Sequence, residues 1–402
     1  MTPLDTDGRA QRDRSAHRAS GGDGTAVLDM SGDRLALRST RAAKQEIIIS
    51  SGLLDPKNET LARAIGARRA LFVVTPTVDR LYGAALRGYI GSALAQPDSE
   101  VFVLRVSEAT KDLMAVDAVV GRASAMGLGR EDPMVAVGGG VCLDSVGVSA
   151  ALYRRGVPNI KIPTTLVGLV DAGIGTKNAV NYRGHKNLLG TFSAPEASLL
   201  DPTFLTSLSD RYLRSGVAEM LKMAIICDRS LFDLLKTHQG ELLQSSFQAP
   251  PTEAAETIRR SATEMLRELA LNLYEQCRSR IVDFGHTFSP YVETASDFQV
   301  LHGEAVAIDI AISSEIAGSL GVIKSDDLEA IHDALAGFGL PHHWAGIDTA
   351  DMYESLQSIR QHRNGHLHLV VPSEIGRAEF LEDQDVNLRL LESCVARLAA
   401  RP

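Results

Sequence analysis

The stretch MVAVGGGVCLD, residues 134–144, predicts a buried strand, a glycine turn and the beginning of a helix. Four mostly apolar residues form the strand-like run, and Gly138, Gly139 and Gly140 follow it. A turn between a strand and a helix exposes backbone N–H groups at the positive end of the helix, where a pyrophosphate can bind. The spacing is not GxGxxG, so a tight turn without a ligand stays open as an alternative.

Apolar runs and helix-like stretches alternate before this segment, and helices dominate after about residue 203. Alternation of this kind is typical of parallel strands joined by crossover helices, so the sequence predicts an α/β fold. The other strand-like runs are residues 46–50, 70–75, 101–106 and, late in the chain, 366–372. Apolar residues recur at helical spacing over residues 80–90, 114–126, 208–240, 252–272, 303–320 and 326–338.

Composition limits the classes of protein and partner. A chain of 402 residues is too long for one ordinary core, and 45% apolar with 23% charged residues is typical of a soluble globular protein. The net charge is -9 without a basic run, so we expect no nucleic-acid partner. No apolar run approaches the roughly 18 residues of a membrane span, so we expect no membrane association. The four cysteines lack CxxC spacing, which favours a reducing cytoplasm and no thiolate metal site.

Residues 1–44 differ in character from the rest of the chain. They are rich in Arg, Asp, Gly and Ser and lack hydrophobic periodicity, so we predict a disordered tail. They contain no apolar h-region of a secretory signal, and their interleaved aspartates argue against a transit peptide. We therefore expect a cytoplasmic protein.

Two histidines each lie beside a glycine, His286 in DFGHTFSP and His302 in LHGE, and SGVAEMLK supplies Glu219 upstream. Two imidazoles and one carboxylate form the ligand set of an open catalytic zinc site. Histidine content alone favours two unrelated core or capping histidines. Glu219 and Lys222, three apart on one helical face, would also suit a surface ion pair.

Cationic and polar residues lie among glycines from Asp171 to Asn187, in GTKNAVN and GHKN. The glycines predict loops that bring side chains to a ligand. Lys177 and Lys186 carry the charge that binds phosphate oxygens. A solvated lysine pair on a surface loop is the alternative.

Seven ordered motifs between about residues 45 and 390 resemble the sugar phosphate cyclase superfamily, whose best-known member is 3-dehydroquinate synthase. The motifs are GGGVCLD, YRRG, PTTL, GTKNAVN with GHKN, SGVAEMLK, FGHTF and LHGEAVA. The resemblance implies an N-terminal Rossmann-like NAD-binding domain, residues 45–202, and a C-terminal, mainly α-helical metal-binding domain, residues 203–402. It also implies an active site between the two domains and a homodimer.

The resemblance assigns roles residue by residue. The positions that match metal ligands, for Zn²⁺ or Co²⁺, are Glu219, His286 and His302. The positions that match NAD contacts are Gly138, Gly139, Gly140, Asp144, Thr164, Thr165, Glu108 and Lys111. The catalytic candidates are Lys177, Lys222, Asp171 and Asp283. The substrate-binding candidates are Arg155, Lys186, Asn187, Arg280 and His362, and Arg155 matches an arginine associated with the substrate phosphate.

Three features depart from the 3-dehydroquinate synthase pattern. That pattern has Asn and His where this chain has Asp283 and Pro290, and a lysine-containing stretch where this chain has RQHRNG at residues 360–365. Asp283 would repel a carboxylate on the substrate. DFGHTFSP and the HRNG that contains His362 instead resemble the cyclases that convert sedoheptulose 7-phosphate to C7 cyclitols. The nearest branch makes 2-epi-5-epi-valiolone. Departures from its usual motifs at Asn178, Ala179 and Leu271 leave the epimeric product, 2-epi-valiolone, open.

The reaction implied by the resemblance begins with transient oxidation of a substrate hydroxyl by NAD. Phosphate then leaves by β-elimination, the hydride returns, and an internal aldol step closes a cyclohexanone. Such an enzyme is a phosphate-eliminating lyase without net redox change. The alternatives are a 3-dehydroquinate synthase, an NAD-dependent polyol dehydrogenase similar to glycerol dehydrogenases, and a catalytically inactive NAD-binding scaffold.

Overall fold

The computed structural model describes residues 16–21, 24–31, 34–41, 43–96, 98–277, 279–362 and 365–401. The chain forms two compact units, of which the first ends at Gln45 and the second begins at Glu46.

The first unit contains a three-stranded antiparallel sheet of β1 (Ala16–Gly21), β2 (Gly24–Ser31) and β3 (Arg34–Arg41). These strands differ from the disorder that the sequence predicts over residues 1–44. Residues 1–15 of the predicted tail lie outside the described part of the chain.

A six-stranded parallel sheet organises the first half of the second unit, with strand order β4-β11-β8-β7-β5-β6. Its strands β4 to β7 confirm the four runs predicted before residue 140. The strands are β4 (Glu46–Ile49), β5 (Leu71–Val74), β6 (Glu100–Val103), β7 (Met134–Gly138), β8 (Asn159–Pro163) and, after the hairpin β9 (Lys177–Tyr182) and β10 (His185–Phe192), β11 (Ala197–Leu200).

Helices cover both faces of this sheet. Phe72 and Val74 of β5 lie in one apolar cluster with α1 and α2, whereas Leu71 and Val73 lie in another with α3 and α4. Burial of both faces is what a parallel sheet requires, because crossover helices lie on each side. These helices are α1 (Thr60–Ile65), α2 (Pro76–Ala93), α3 (Leu113–Ala125) and α4 (Gly140–Leu152).

The loop predicted around residues 175–187 is wrong, because most of it is the antiparallel hairpin β9–β10. Asn178 and Val180 are both buried, and this spacing of two is the period of a strand. Val180 packs against Val116 of α3 and Val148 of α4. Gly184 at φ +81° lies in the tight turn between the strands.

The second half of this unit is mainly helical, as predicted. α5 and α9 are buried on almost every face, which is typical of the central helices of a large core. The predicted late strand pairs with a second strand. The elements are α5 (Asp210–Cys227), α6 (Arg229–Gln244), α7 (Pro251–Leu271), α8 (Ser289–Ala295), α9 (His302–Ser319), α10 (Ser325–Gly337), α11 (Thr349–His362), β12 (Leu369–Glu374), β13 (Arg377–Leu381) and α12 (Leu388–Ala399).

The domain boundary predicted at residues 202/203 falls between the end of β11 and the start of α5. Residues 46–402 form one compact unit, so this boundary stays a prediction. Within the described part of the chain, no helix has the length and apolar character needed to cross a bilayer.

Candidate active site

Glu219, His286 and His302 meet in space although they are far apart in the chain. Glu219 lies on α5, His302 is the first residue of α9, and His286 lies in the turn before α8. One ligand atom from each lies within 4.8 Å of the others. The Nε2 atoms of His302 and His286 lie 3.1 and 3.6 Å from Glu219 Oε1. The three predicted ligands therefore have the separations of a metal-binding set.

Close packing of α5 and α9 depends on Gly303. A Cβ atom at this position would lie 1.9 Å from the Ser215 carbonyl oxygen, so only glycine allows the observed approach. The Gly303 N–H donates to Ser215 Oγ at 3.1 Å. Because Glu219 is one turn beyond Ser215, this contact brings Glu219 to His302.

The second ring nitrogen of each histidine fixes the orientation of the ring. His286 Nδ1 lies 3.1 Å from the Phe284 carbonyl oxygen, which only accepts hydrogen bonds, so Nδ1 carries the proton. His302 Nδ1 lies 3.0 Å from Glu293 Oε1. Each ring therefore directs Nε2 towards Glu219, as metal-ligating histidines with an oriented outer nitrogen do.

The electrostatics of this cluster suit a divalent cation. Burial lowers the pKa of His286 to about 4, which keeps that ring neutral. Burial also opposes the charged form of His302, but Glu293 and Glu219 outweigh it and raise the pKa of His302 to about 10. The Glu219 carboxylate is fully buried, and its Oε1 faces both imidazoles. A carboxylate and two imidazoles are ligands for Zn²⁺ or Co²⁺, and such an ion would displace the His302 Nε2 proton.

Lys222 adjoins this cluster. Its Nζ lies 2.7 Å from Glu219 Oε2, and both side chains are buried, so the surface ion pair considered from sequence is excluded. Burial opposes the ammonium form, but Glu219 outweighs it, with Asp171 and Asp283 adding to the effect, and the pKa of Lys222 is raised. Lys222 therefore stays positively charged beside the candidate metal ligands.

Asp171 lies in the helical turn Gly168–Ala172, which follows β8. Lys161, a fully buried residue of β8, donates to the carbonyl oxygens of Ala172 at 3.0 Å and Gly175 at 3.1 Å. Lys161 therefore fixes the segment that carries Asp171, and the sequence did not single it out.

Lys177 and Arg280 share one carboxylate. Both Lys177 Nζ and Arg280 Nη1 contact Glu275 Oε1, and Arg280 Nη2 contacts Asp283 Oδ1. Although 53% of the Lys177 side chain is exposed, its ammonium lies among these charges. Burial of that end and repulsion by Arg280 lower the pKa of Lys177 to about 8. The predicted residues Lys177, Arg280 and Asp283 thus form one ion-pair chain with Glu275. Glu275 was not predicted from the sequence.

Glu293 lies between Lys186 and the candidate metal ligand His302. Its Oε2 contacts Lys186 Nζ, and its Oε1 faces His302 Nδ1. Burial opposes ionisation of Glu293, but His302 and Lys186 lower its pKa to about 2. Sequence reasoning missed Glu293 because Lys186 is 107 residues away in the chain.

The predicted NAD contacts meet at the carboxyl ends of β7 and β8. Gly138 ends β7 and Gly139 precedes α4. The Thr164 N–H donates to the Gly138 carbonyl oxygen at 3.0 Å, and a Cβ on Gly139 would lie 3.0 Å from Thr165 Cγ2. Ligands of open α/β sheets bind at this edge, and the backbone N–H groups at the start of α4 fit a pyrophosphate.

A second group of predicted NAD contacts lies beside the hairpin. Lys111 Nζ donates to Asp144 Oδ2 at 2.6 Å and to Asn187 Oδ1 at 2.8 Å. Asn181 Nδ2 donates to the Glu108 carbonyl oxygen at 2.8 Å. Asn187, predicted to bind substrate, thus lies with the residues predicted to bind the cofactor.

Two predicted substrate contacts are not brought to this cluster. Arg155 follows the C-terminal end of α4, whereas the glycine turn lies at its N-terminal end. The 13-residue helix between them spans about 20 Å, so Arg155 lies at the opposite edge of the sheet. His362 is the last residue of α11, and its side chain lies outside the described residues.

Two family models match most of the chain. The 3-dehydroquinate synthase N-terminal model matches residues 101–215, and the C-terminal model matches residues 216–361. The chain therefore belongs to the 3-dehydroquinate synthase family, which confirms the predicted fold class.

Within this family the chain is similar to 2-epi-5-epi-valiolone synthases. The enzyme of Streptomyces glaucescens is 41% identical over 353 residues, which cover 87% of this chain and 90% of that enzyme. A solved structure is also similar, that of ValA, the 2-epi-5-epi-valiolone synthase of Streptomyces hygroscopicus subsp. jinggangensis 5008, with NAD⁺ and Zn²⁺ bound. Its TM-score is 0.85 at 39% sequence identity, and the match covers 90% of this chain and 99% of ValA. A 3-dehydroquinate synthase of Synechococcus sp. (strain CC9605) is 33% identical over 93% of this chain and 99% of that enzyme.

Proposed function

We propose that this protein is an NAD- and metal-dependent cyclase that converts sedoheptulose 7-phosphate to 2-epi-5-epi-valiolone and releases phosphate. The observation that carries the proposal is the convergence of Glu219, His286 and His302 beside the charged Lys222. Similarity to the valiolone synthases over most of the chain supports the same reaction.

The residues of this site fit both cofactors. The backbone N–H groups at the start of α4 would hold the NAD pyrophosphate, and Glu219, His286 and His302 would hold Zn²⁺ or Co²⁺. NAD, when bound, supplies a hydride acceptor that later returns the hydride. The metal ion, when bound, supplies a Lewis acid for the substrate oxygen that changes between hydroxyl and ketone.

The chain's own side chains would perform the remaining chemistry. Lys222 keeps its charge in a buried site, so it stabilises negative charge that develops on the substrate beside it. Lys177 and Lys186 would bind the phosphate that leaves. Because the pKa of Lys177 lies at about 8, this ammonium is also able to exchange a proton near neutral pH.

The ion-pair chain around Arg280 supports a substrate with one anionic group. Asp283 and Glu275 both contact Arg280, so this guanidinium is already neutralised. Asp283 would face a carboxylate on the substrate with like charge, whereas hydroxyl groups could donate hydrogen bonds to it. This charge arrangement favours a heptulose phosphate over the substrate of 3-dehydroquinate synthase.

In the described part of the chain, two of the three departures that leave 2-epi-valiolone open, at Asn178 and Leu271, have side chains without a hydrogen bond to this ion-pair chain. Asn178 is buried and its Nδ2 donates to the carbonyl oxygens of Thr176 and Ser193, both at 3.1 Å. Leu271 is 82% exposed at the end of α7. These two changes therefore give no support to the epimeric product, and the NMR spectrum of the product decides between the two.

We also propose that the protein is a cytoplasmic homodimer. A surface groove of about 390 Å³ lies between α3 and the end of α4, and Leu113, Met114 and Leu152 are exposed in this region. A second copy would bury these apolar groups, and Arg155 adjoins them. Sedimentation of wild type and Leu152→Glu tests the dimer, which the charged variant should weaken.

The cysteines support the proposed cytoplasmic location. All four are free thiols, as expected in a reducing compartment.

One incubation tests the proposed reaction. The protein is mixed with sedoheptulose 7-phosphate, NAD and Zn²⁺, while inorganic phosphate and NADH absorbance are followed and the product is analysed by NMR. We expect stoichiometric phosphate without accumulated NADH, and the spectrum of 2-epi-5-epi-valiolone. NADH accumulation without phosphate would instead identify a polyol dehydrogenase, and a different cyclitol spectrum would identify the epimeric product.

A further inference from the structure

Asp309 is a buried carboxylate on α9 that faces the segment carrying His286. Its side chain is fully buried. Oδ2 accepts hydrogen bonds from the backbone N–H groups of Thr287 at 2.7 Å, Phe288 at 2.5 Å and Ser289 at 2.9 Å. Oδ1 accepts one from the Ser313 hydroxyl at 3.0 Å.

These three N–H groups lie where α8 begins. The first N–H groups of a helix have no carbonyl partner within that helix, and a buried donor without a partner destabilises the fold. A carboxylate binds such donors more strongly than a neutral oxygen. Asp309 thus fixes the main chain from the residue after His286 onwards.

One helix therefore determines the placement of two candidate metal ligands. Asp309 lies seven residues, or two helical turns, after His302, so both project from the same side of α9. α9 supplies His302 directly and, through Asp309, holds the peptide that follows His286. The distance between the two imidazoles thus depends on a residue that contacts neither ring.

We propose that Asp309 is a positioning residue for the metal centre, which it serves by binding the main chain beside His286. This inference rests on the proposed metal centre but not on the identity of the substrate. Sequence reasoning missed Asp309, since nothing in its spacing from His302 reveals a contact with backbone.

The test measures affinity for Zn²⁺ by competition with a chromophoric chelator. We expect Asp309→Ala to weaken Zn²⁺ binding by about 10- to 100-fold, which is typical when a group that orients a ligand is lost. Asp309→Asn should weaken it less, because its neutral amide oxygen keeps an acceptor for the N–H groups. The absorption spectrum of the Co²⁺-loaded variants should change with the displaced His286, and amide hydrogen exchange at residues 287–289 should accelerate.

Asp201→Asn is the matched control. Asp201 is also buried and accepts backbone N–H groups, from Leu53 at 2.8 Å and Thr203 at 2.9 Å, but it lies at the end of β11. Its loss should lower the melting temperature without changing Zn²⁺ affinity.

Two results would overturn the role of Asp309. One is unchanged Zn²⁺ affinity in a folded Asp309→Ala or, where that variant does not fold, in Asp309→Asn. The other is a loss of affinity in Asp201→Asn equal to that in Asp309→Asn, which would indicate general destabilisation. A wild type that binds Zn²⁺ but releases no phosphate from sedoheptulose 7-phosphate would contradict the proposed function alone.

Discussion

At the scale of single residues, the ligand assignment makes a direct prediction. His286→Ala and His302→Ala should each lower bound Zn²⁺ and abolish phosphate release, because three protein ligands are the minimum for an open catalytic site. Metal content and phosphate release are measured on the same purified variants. His238→Ala is the control, since His238 pairs with Glu241 in an exposed contact. Full metal and activity in either ligand variant would disprove the assignment.

Lys177 makes a prediction about pH. Its pKa is lowered from the ordinary value to about 8, so its ammonium is present below that pH and is lost as pH rises through it. If the charged form binds the substrate phosphate as proposed, kcat/KM for the sugar phosphate should fall above pH 8. Lys177→Arg should move this decline to higher pH, since arginine keeps its proton. An identical alkaline decline in this variant would show that another group titrates.

Sequence predicted the residues that lie in short motifs and missed those defined by their partners. The metal ligands Glu219, His286 and His302 could be predicted, because their residue types and the glycines beside the histidines suggest metal chemistry. Glu275 and Glu293 were not, because a carboxylate gains its role from a cation that only the fold brings near.

At the scale of elements, the contact between α5 and α9 predicts the outcome of Gly303→Ala. The added methyl group would meet the Ser215 carbonyl oxygen, so the helices must separate, at a cost of about 1–3 kcal/mol for overpacking. We expect a lower melting temperature and weaker Zn²⁺ binding, because His302 moves away from Glu219.

Gly121→Ala is the matched control for this change. Gly121 lies in α3 with no atom within 4 Å of an added Cβ, so alanine should stabilise the helix by roughly 0.5–1 kcal/mol. Equal Zn²⁺ affinity in Gly303→Ala and wild type would contradict the close approach as the reason for glycine.

Helices and strands were predicted correctly where their burial produces a clear hydrophobic pattern in the sequence. The strands β5 and β7 are apolar throughout and were predicted, since a parallel sheet is buried on both faces. The stretch 208–240 was predicted as one helix but forms two, because Asp228 ends α5 and caps α6 by accepting the Leu231 N–H at 3.1 Å. The hairpin β9–β10 was missed because its strands carry polar residues that resemble loop sequence.

At the scale of the whole molecule, the balance of charges predicts substrate choice. The protein should turn over sedoheptulose 7-phosphate and reject the 3-deoxyheptulosonate phosphate used by 3-dehydroquinate synthase. Placing a substrate carboxylate against Asp283 costs about 3 kcal/mol, on the order of a hundredfold in rate. Phosphate release is compared at matched concentrations, and Asp283→Asn should narrow the difference. Comparable turnover of both substrates by wild type would return the protein to the dehydroquinate reaction.

Four cationic side chains of the site each contact a carboxylate of the protein. They are Lys177, Lys186, Lys222 and Arg280. Under the proposed function, incoming phosphate would compete with these internal counter-ions, and the same competition would act on phosphate as it leaves. A site of bare cations would retain inorganic phosphate after each turnover and would be inhibited by its own product. The internal carboxylates would weaken that retention. The affinity for the substrate phosphate would then be lower, and inorganic phosphate would dissociate faster after each turnover.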